Sequence, residues 1–186
     1  MTIKHQTIFS DEKYQIRTLA APDALKLHAA VRASVAELST WMPWCTESYG
    51  LSDSEQYLSR CTSNLRDNVT YDFGVFDATT EGMLGAVAIT GIRRGENCAN
   101  IGYWTRSDAT GRGIATQAVR AAAVFGFQKL GLTRLEILAH PGNLSSRRVA
   151  EKLGGWFEGY ARNRIVFRGE PRAAVVYSLI PEDIRG

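Results

Sequence analysis

The sequence predicts an α/β protein with one mixed, mostly antiparallel sheet flanked by about four helices. Three observations lead there. Strand-like and helix-like periodicities follow one another in the order β-α-α-β-β-β-α-β-α-β-β. A glycine-rich loop, Thr110-Gly111-Arg112-Gly113-Ile114-Ala115, joins a short aromatic strand to an almost wholly apolar helix. No repeat, low-complexity tract or linker divides the 186 residues, so one domain over 1–186 is expected, large enough for a substantial core.

Tyr14-Gln15-Ile16-Arg17-Thr18-Leu19 alternates side chains as a half-buried strand does. Pro22, whose fixed φ suits a first helical turn, and Asp23 open an Ala/Leu-rich helix to about Leu38. Ser39 to Gly50 is irregular and aromatic. Ser52, with Glu55 three residues on, has the capping-box pattern and starts a second helix to about Asp67. Val69 to Asp77 and Met83 to Ile92 read as a hairpin turned at Thr79-Thr80-Glu81-Gly82, and Asn100 to Thr105 as the next strand. The helix from Gly113 to Leu130 is apolar on nearly every side, which demands burial, and Gly131 suits its C-terminal cap. Thr133 to Ala139 is a strand, and Asn143 to Leu153 a short helix stopped by Gly154-Gly155. Tyr160 to Phe167 and Ala173 to Ile180 close the chain as a hairpin around Arg168-Gly169-Glu170.

Composition (45% hydrophobic, 22% charged) is that of a globular chain rather than a disordered one. No apolar run approaches the roughly 18 residues of a membrane span. Met1 to Gln6 lack a signal-peptide apolar stretch, so a cytoplasmic protein with no membrane partner is expected. Cys45, Cys61 and Cys98 are odd in number and show no CxxC spacing, which reads as buried free thiols. With only three His, no metal site is expected. Net charge is +3, but residues 106–172 hold 12 basic against 5 acidic side chains, starting at the glycine loop. That excess suits an anionic ligand and equally a solvated basic face. Direct nucleic-acid binding is not expected, because the basic residues are dispersed rather than clustered with aromatics.

A loop that enters a helix through two glycines turns several backbone N–H groups toward one point, where the helix dipole adds positive potential. Three readings of the loop are open. It is a tight turn whose glycines serve only positive φ, a dinucleotide seat, or a seat for the pyrophosphate of an acyl-coenzyme A. Against the dinucleotide, five residues (Arg106 to Thr110) separate strand from loop. Glu136 also falls inside its strand, not at the end where a ribose would lie.

The loop has companions. Ile101-Gly102-Tyr103-Trp104 precedes it; Asn143-Leu144-Ser145-Ser146 and Val149-Ala150-Glu151-Lys152-Leu153-Gly154 follow it. Glu158-Gly159 and Val176-Tyr177-Ser178-Leu179 come later, and Trp41-Met42-Pro43-Trp44 comes early. In this order, over about residues 14–181, the chain resembles the GNAT N-acetyltransferases, and among them the RimJ/RimL-type ribosomal-protein acetyltransferases. Thr110 to Ala115 fits their Q/R-x-x-G-x-G/A loop except that Thr110 replaces Gln or Arg.

The resemblance implies a GNAT-type fold whose sheet splays at the acyl-CoA site. It implies direct transfer of an acetyl group from acetyl-CoA to a primary amine, on a protein or peptide N-terminus or a small molecule. Ile101, Tyr103 and Thr105 would line the pantetheine arm. Thr110, Gly111, the N–H groups of Arg112, Gly113, Ile114 and Ala115, and Thr116 would seat the pyrophosphate. Asn143 would bind the pantetheine amide, cap the helix, or do both. Trp41, Trp44 and Tyr49 would admit the acceptor or cap the core.

Many relatives protonate the leaving thiolate with a Tyr, but Ala150 stands at that position. The role then passes to Ser146, which otherwise reads as a first-turn serine. The glutamate of the relatives' E-I-G-Y-W strand is Asn100, which can orient a water but cannot take a proton at neutral pH. Carboxylate positions near Ile165 and at Ala173 are also lost. Glu158, His140 and Glu136 remain as candidate bases. A CoA-binding protein without chemistry and a nucleotide-dependent enzyme stay open as other classes. Similar proteins commonly pair, so the resemblance admits a homodimer.

Overall fold

The computed structural model describes residues 6–184; the Met1–His5 portion of the N-terminus read above lies outside them. In chain order the elements are β1 (Thr7–Ser10), β2 (Tyr14–Thr18), α1 (Ala24–Arg32), α2 (Val35–Trp41), α3 (Leu51–Arg66), β3 (Tyr71–Asp77) and β4 (Met83–Arg93). They continue as β5 (Cys98–Thr105), α4 (Ile114–Leu130), β6 (Arg134–Ala139), α5 (Leu144–Lys152), β7 (Trp156–Phe167), β8 (Glu170–Leu179) and α6 (Pro181–Ile184). The eight strands form one sheet in the order β1-β2-β3-β4-β5-β6-β8-β7. Every neighbouring pair is antiparallel except β5–β6.

Alternation along each strand decides which face a residue serves. Phe73, Val87, Ile89, Ile101, Leu135, Ile137 and Tyr177 turn to one face and bury α4 through Ile114, Ala118, Val119, Ala122 and Phe125. The Phe125 ring meets Phe73 edge-on at 5.3 Å. On the other face Leu27, Val31, Leu38 and Leu58 of α1–α3 close over Leu19, Phe76, Met83 and Ala86. The helix apolar on nearly every side is thus the one laid in the larger core, as its composition requires.

The parallel pair is what makes a site. β5 and β6 bond only where Cys98–Asn100 run beside Arg134–Glu136. Beyond that, Ile101 to Thr105 pair with β4 alone and Ile137 to Ala139 with β8 alone. The sheet opens, and the free side of β5 keeps backbone polar groups that no strand satisfies.

Several elements differ from the sequence reading. The helix expected from Pro22 to Leu38 is a 3₁₀ turn at Ala21–Asp23 followed by α1 and α2. The break lies at Ser34, fully buried, whose Oγ donates to the Ala30 carbonyl (2.9 Å) and accepts from Ser107 N–H (3.0 Å). Such back-bonding bends a helix. With that break, and the short α6 at the end, the described residues hold six α-helices rather than about four. The cap of α3 is set by Gly50 and Asp53, whose Oδ2 accepts from Gly50 N–H at 2.8 Å, not by Ser52 and Glu55. Strand β1, a four-residue edge strand, was not legible, and β7 starts four residues before Tyr160. Cys45, Cys61 and Cys98 are buried free thiols, and burial pushes Cys61 up to about 12. Among the described residues no helix is long and apolar enough to cross a membrane.

Asp23 secures the start of α1. Its carboxylate is buried and accepts from Arg17 Nη2 and Nη1 (2.7 and 2.9 Å) and from Ala20 N–H (3.0 Å). Asp23→Ala would remove the carboxylate that pairs with the largely buried Arg17 guanidinium, so it is expected to lower unfolding free energy by about 3 kcal/mol, read from the urea midpoint.

Candidate active site

The glycine loop leaves β5 by a 3₁₀ turn, Ser107–Ala109, and enters α4 through two left-handed residues, Gly111 (φ 76°) and Gly113 (φ 77°). The first bond of the helix runs from Gln117 N–H to the Gly113 carbonyl at 3.0 Å. The amides of Ile114, Ala115 and Thr116 therefore precede any helical partner and face forward. A Cβ added at Gly113 would meet nothing within 4 Å, so the space before these amides is open.

Two hollows meet at the splayed strands. The first, about 540 Å³, is lined by Thr105, Thr110, Gly111, Gly113, Ile114, Ala115 and Thr116, with Ser145, Arg148, Val149 and Lys152 of α5 opposite. Thr105 Oγ1 is buried there without a hydrogen-bond partner among the described residues. The second, about 510 Å³, is walled by Met42 and Pro43, by Ile101 and Gly102, by Ile137 to His140, and by Ile165 to Phe167 and Arg172 of the β7–β8 hairpin. A bulge in β7 between Ala161 and Ile165, with Asn163 left-handed at φ 51°, re-aims this hairpin. Arg168 Nη2 then donates to the Ser39 carbonyl at 3.2 Å and clasps the hairpin to α2. Trp41, Met42, Tyr103, Asn143 and Ser146 line both hollows.

At this junction Tyr103 Oη donates to the Ser146 carbonyl (2.9 Å) and lies 3.0 Å from Ser146 Oγ. Burial pushes the Tyr103 phenol up to about 12, so it keeps its proton throughout the physiological range. Asn143 caps α5, its Oδ1 accepting from Ser146 N–H at 3.1 Å. Its amide nitrogen is left for a ligand in either hollow.

The remaining expected residues separate. Ile101 lines the second hollow, not the first, and the Arg112 side chain is exposed and lines neither. Trp41 stands between both hollows, its ring 5.7 Å from that of His140. Trp44 instead packs on Trp104 and Tyr49, outside both. Tyr49 is buried in the smaller core with its hydroxyl 2.9 Å from Ser54 Oγ, because the Thr46–Gly50 turn directs it inward.

Asn100 lies beside Thr90 and Glu136 where the strands still pair, lines neither hollow, and buries an unpartnered Oδ1. Glu158 accepts from Arg134 Nη1 and Ser178 Oγ, both at 2.7 Å, and these bonds hold its carboxyl below the usual range. Glu136 is tied to Arg93, Arg134 and Arg164. His140 Nδ1 accepts from Gly142 N–H at 3.1 Å, which fixes the proton of the neutral ring on Nε2. Among the described residues no carboxylate lines the second hollow. Residues that the sequence reading missed are Arg148 and Lys152, one helical turn apart on α5, and the hairpin wall. The spacing of the two cations four residues apart was the available signal for the first.

The acetyltransferase (GNAT) domain family matches residues 14–155. YdaF of Bacillus subtilis, named as a ribosomal N-acetyltransferase, is 28% identical over 95% of this chain and 96% of its own. YjcK of the same organism, named as an N-acetyltransferase, is 34% identical over 65% of this chain and 67% of its own. A solved structure from Vibrio cholerae, named as a ribosomal-protein-serine acetyltransferase, superimposes with a TM-score of 0.84 at 34% identity. It covers 95% of this chain and 98% of its own.

Proposed function

The chain belongs to the GNAT acetyltransferase family, and on that premise we propose that it acetylates the α-amino group of a peptide or protein N-terminus. Acetyl-CoA is the donor and supplies an activated thioester. The first hollow fits it: forward-facing amides and the Arg148 and Lys152 cations suit its phosphates, and Thr105 Oγ1 lacks a partner that a polar ligand would provide. Ser146, shared by both hollows, is the hydroxyl that passes its proton to the leaving thiolate while it takes one from the ammonium formed by the attacking amine, and Tyr103 holds it there. Relatives named for ribosomal-protein acetylation support an N-terminal acceptor. Buried free thiols support a cytoplasmic, reducing compartment.

The observation that carries the choice of amine is that none of the described residues around the second hollow is a carboxylate. An amine attacks only when neutral. At pH 8 a peptide α-amine of pKa near 7.7–8.0 is about half neutral, whereas a lysine amine near 10.4 is neutral in about one molecule in 250. A site whose described wall offers no carboxylate, and whose His140 Nδ1 is already bonded to Gly142 N–H, therefore favours the α-amine.

The expected result, with CoA release read by a thiol reagent, is that kcat/KM rises about tenfold per pH unit below the acceptor's own pKa of about 8. It then stays level to about pH 10, because Tyr103 holds its proton to about 12. A rising limb that stays in place when the acceptor's amine pKa is changed would reveal an enzyme base and overturn this reading. The same phenol affects stability with a definite sign: its share is complete below about pH 10 and is lost as pH rises toward about 12.

A further inference from the structure

We infer that the acceptor is an α-amine carried by a bulky apolar residue, in a molecule that also bears a carboxylate. This rests on the acetyl-transfer reading and adds the acceptor's chemical class. The second hollow is about 510 Å³, and Ile101, Ile137, Leu138, Ile165, Val166 and Phe167 form much of its wall. An alanine or serine side chain would leave much of that wall without contacts, whereas a leucine or phenylalanine side chain would cover more of it. Trp41, over His140, adds an aromatic surface at the point where this hollow joins the other.

Charge narrows the class further. Arg172 is the one permanently charged side chain among the described residues of the wall, and no Asp or Glu faces it across the hollow. Its partner in the fold is Glu170, two residues away at 3.1 Å, with both side chains at least half exposed (51% and 68%). Such an exposed pair holds little energy, so the guanidinium can exchange it for a ligand carboxylate. A second cationic group on the acceptor, as in a polyamine, would instead enter an apolar, positively charged space with no counter-ion. The carboxylate can be that of a free amino acid or one further along a peptide, and the two are separated by experiment.

The test compares free leucine and phenylalanine, their primary amides, the dipeptides Leu-Ala and Phe-Ala, Ala-Ala, and spermidine. CoA release is measured with acetyl-CoA saturating, and rates are normalised to the neutral fraction of each amine. The bulky apolar acceptors are expected to exceed Ala-Ala in kcat/KM by about tenfold or more. The acids should exceed the matching amides by about fivefold, and Arg172→Gln should remove that difference. Free amino acids above dipeptides assign the α-carboxylate; the reverse assigns the distal one. Preference for Ala-Ala or spermidine, or an acid-over-amide ratio that survives in R172Q, overturns the inference while the acetyltransferase reading stands. Failure of every acceptor to release CoA overturns both.

Discussion

Ser146→Ala is expected to lower kcat about a hundredfold, the scale of losing a positioned proton donor, with the Kd for acetyl-CoA changed by less than about twofold. The separation has a structural cause. What caps α5 is Asn143 Oδ1 accepting from the backbone N–H of Ser146, and alanine retains that N–H. The helix and its Arg148 and Lys152 stay in place, and only the hydroxyl at the junction is lost.

Tyr103 sharpens the experiment. Its single proton lies on the Ser146 carbonyl at 2.9 Å, which leaves its oxygen to accept from Ser146 Oγ at 3.0 Å. As the serine gives up its proton, the phenol O–H can turn to donate a hydrogen bond to Oγ, keeping its own proton. Tyr103→Phe should therefore cost about tenfold in kcat, and the double variant should fall within about twofold of Ser146→Ala alone, as expected of groups acting as one unit. Rapid-quench turnover with a peptide acceptor and calorimetry with acetyl-CoA measure the two quantities. Equal loss of kcat and CoA affinity in Ser146→Ala would make the serine a structural residue, and strictly additive effects would remove the coupling.

Gly113→Val is expected to weaken acetyl-CoA binding about a hundredfold, combining lost amide contacts with strain. Gly113 sits at φ 77° as the residue before α4. A β-branched side chain is a strong outlier there, costing at least about 1–2 kcal/mol. Its methyls would also project into the open space that the Ile114–Thr116 amides face. Melting temperature should drop by only about 2–6 °C, so calorimetry on folded protein remains possible. Gly113→Ala, smaller but still left-handed, should fall between. A valine variant that binds like the parent would show that the phosphates rest elsewhere.

The parts of the fold that were legible are those where a local pattern is enforced by a local reason. Alternation in Tyr14–Thr18 and in Thr133 to Ala139 gives strands because one face is core and the other is not. The all-round apolar helix announced its own burial. What failed was decided at a distance. Nothing near Ser34 says that Ser107, 73 residues on, will donate to its hydroxyl and help end α1. The edge strand β1 exists because β2 offers it a register, not because four residues carry a strand signal.

The donor loop was readable because its chemistry is contiguous: two glycines, a helix start and the amides between them lie within six residues. That short range made the loop stand out in the sequence, and with its companion motifs it pointed to the family; the same resemblance named the loop and Ser146 as candidates. The acceptor side is assembled from α2, β5, β6 and the β7–β8 hairpin, so only the tertiary structure could decide its walls. It drew Tyr49 into the core, left Trp44 outside, tied Glu158 and Glu136 to arginines, and brought Tyr103 onto Ser146 across 43 residues. The physical reason is one of range. Backbone geometry and periodicity act over a few residues, whereas burial and ion pairing depend on neighbours that the sheet order supplies.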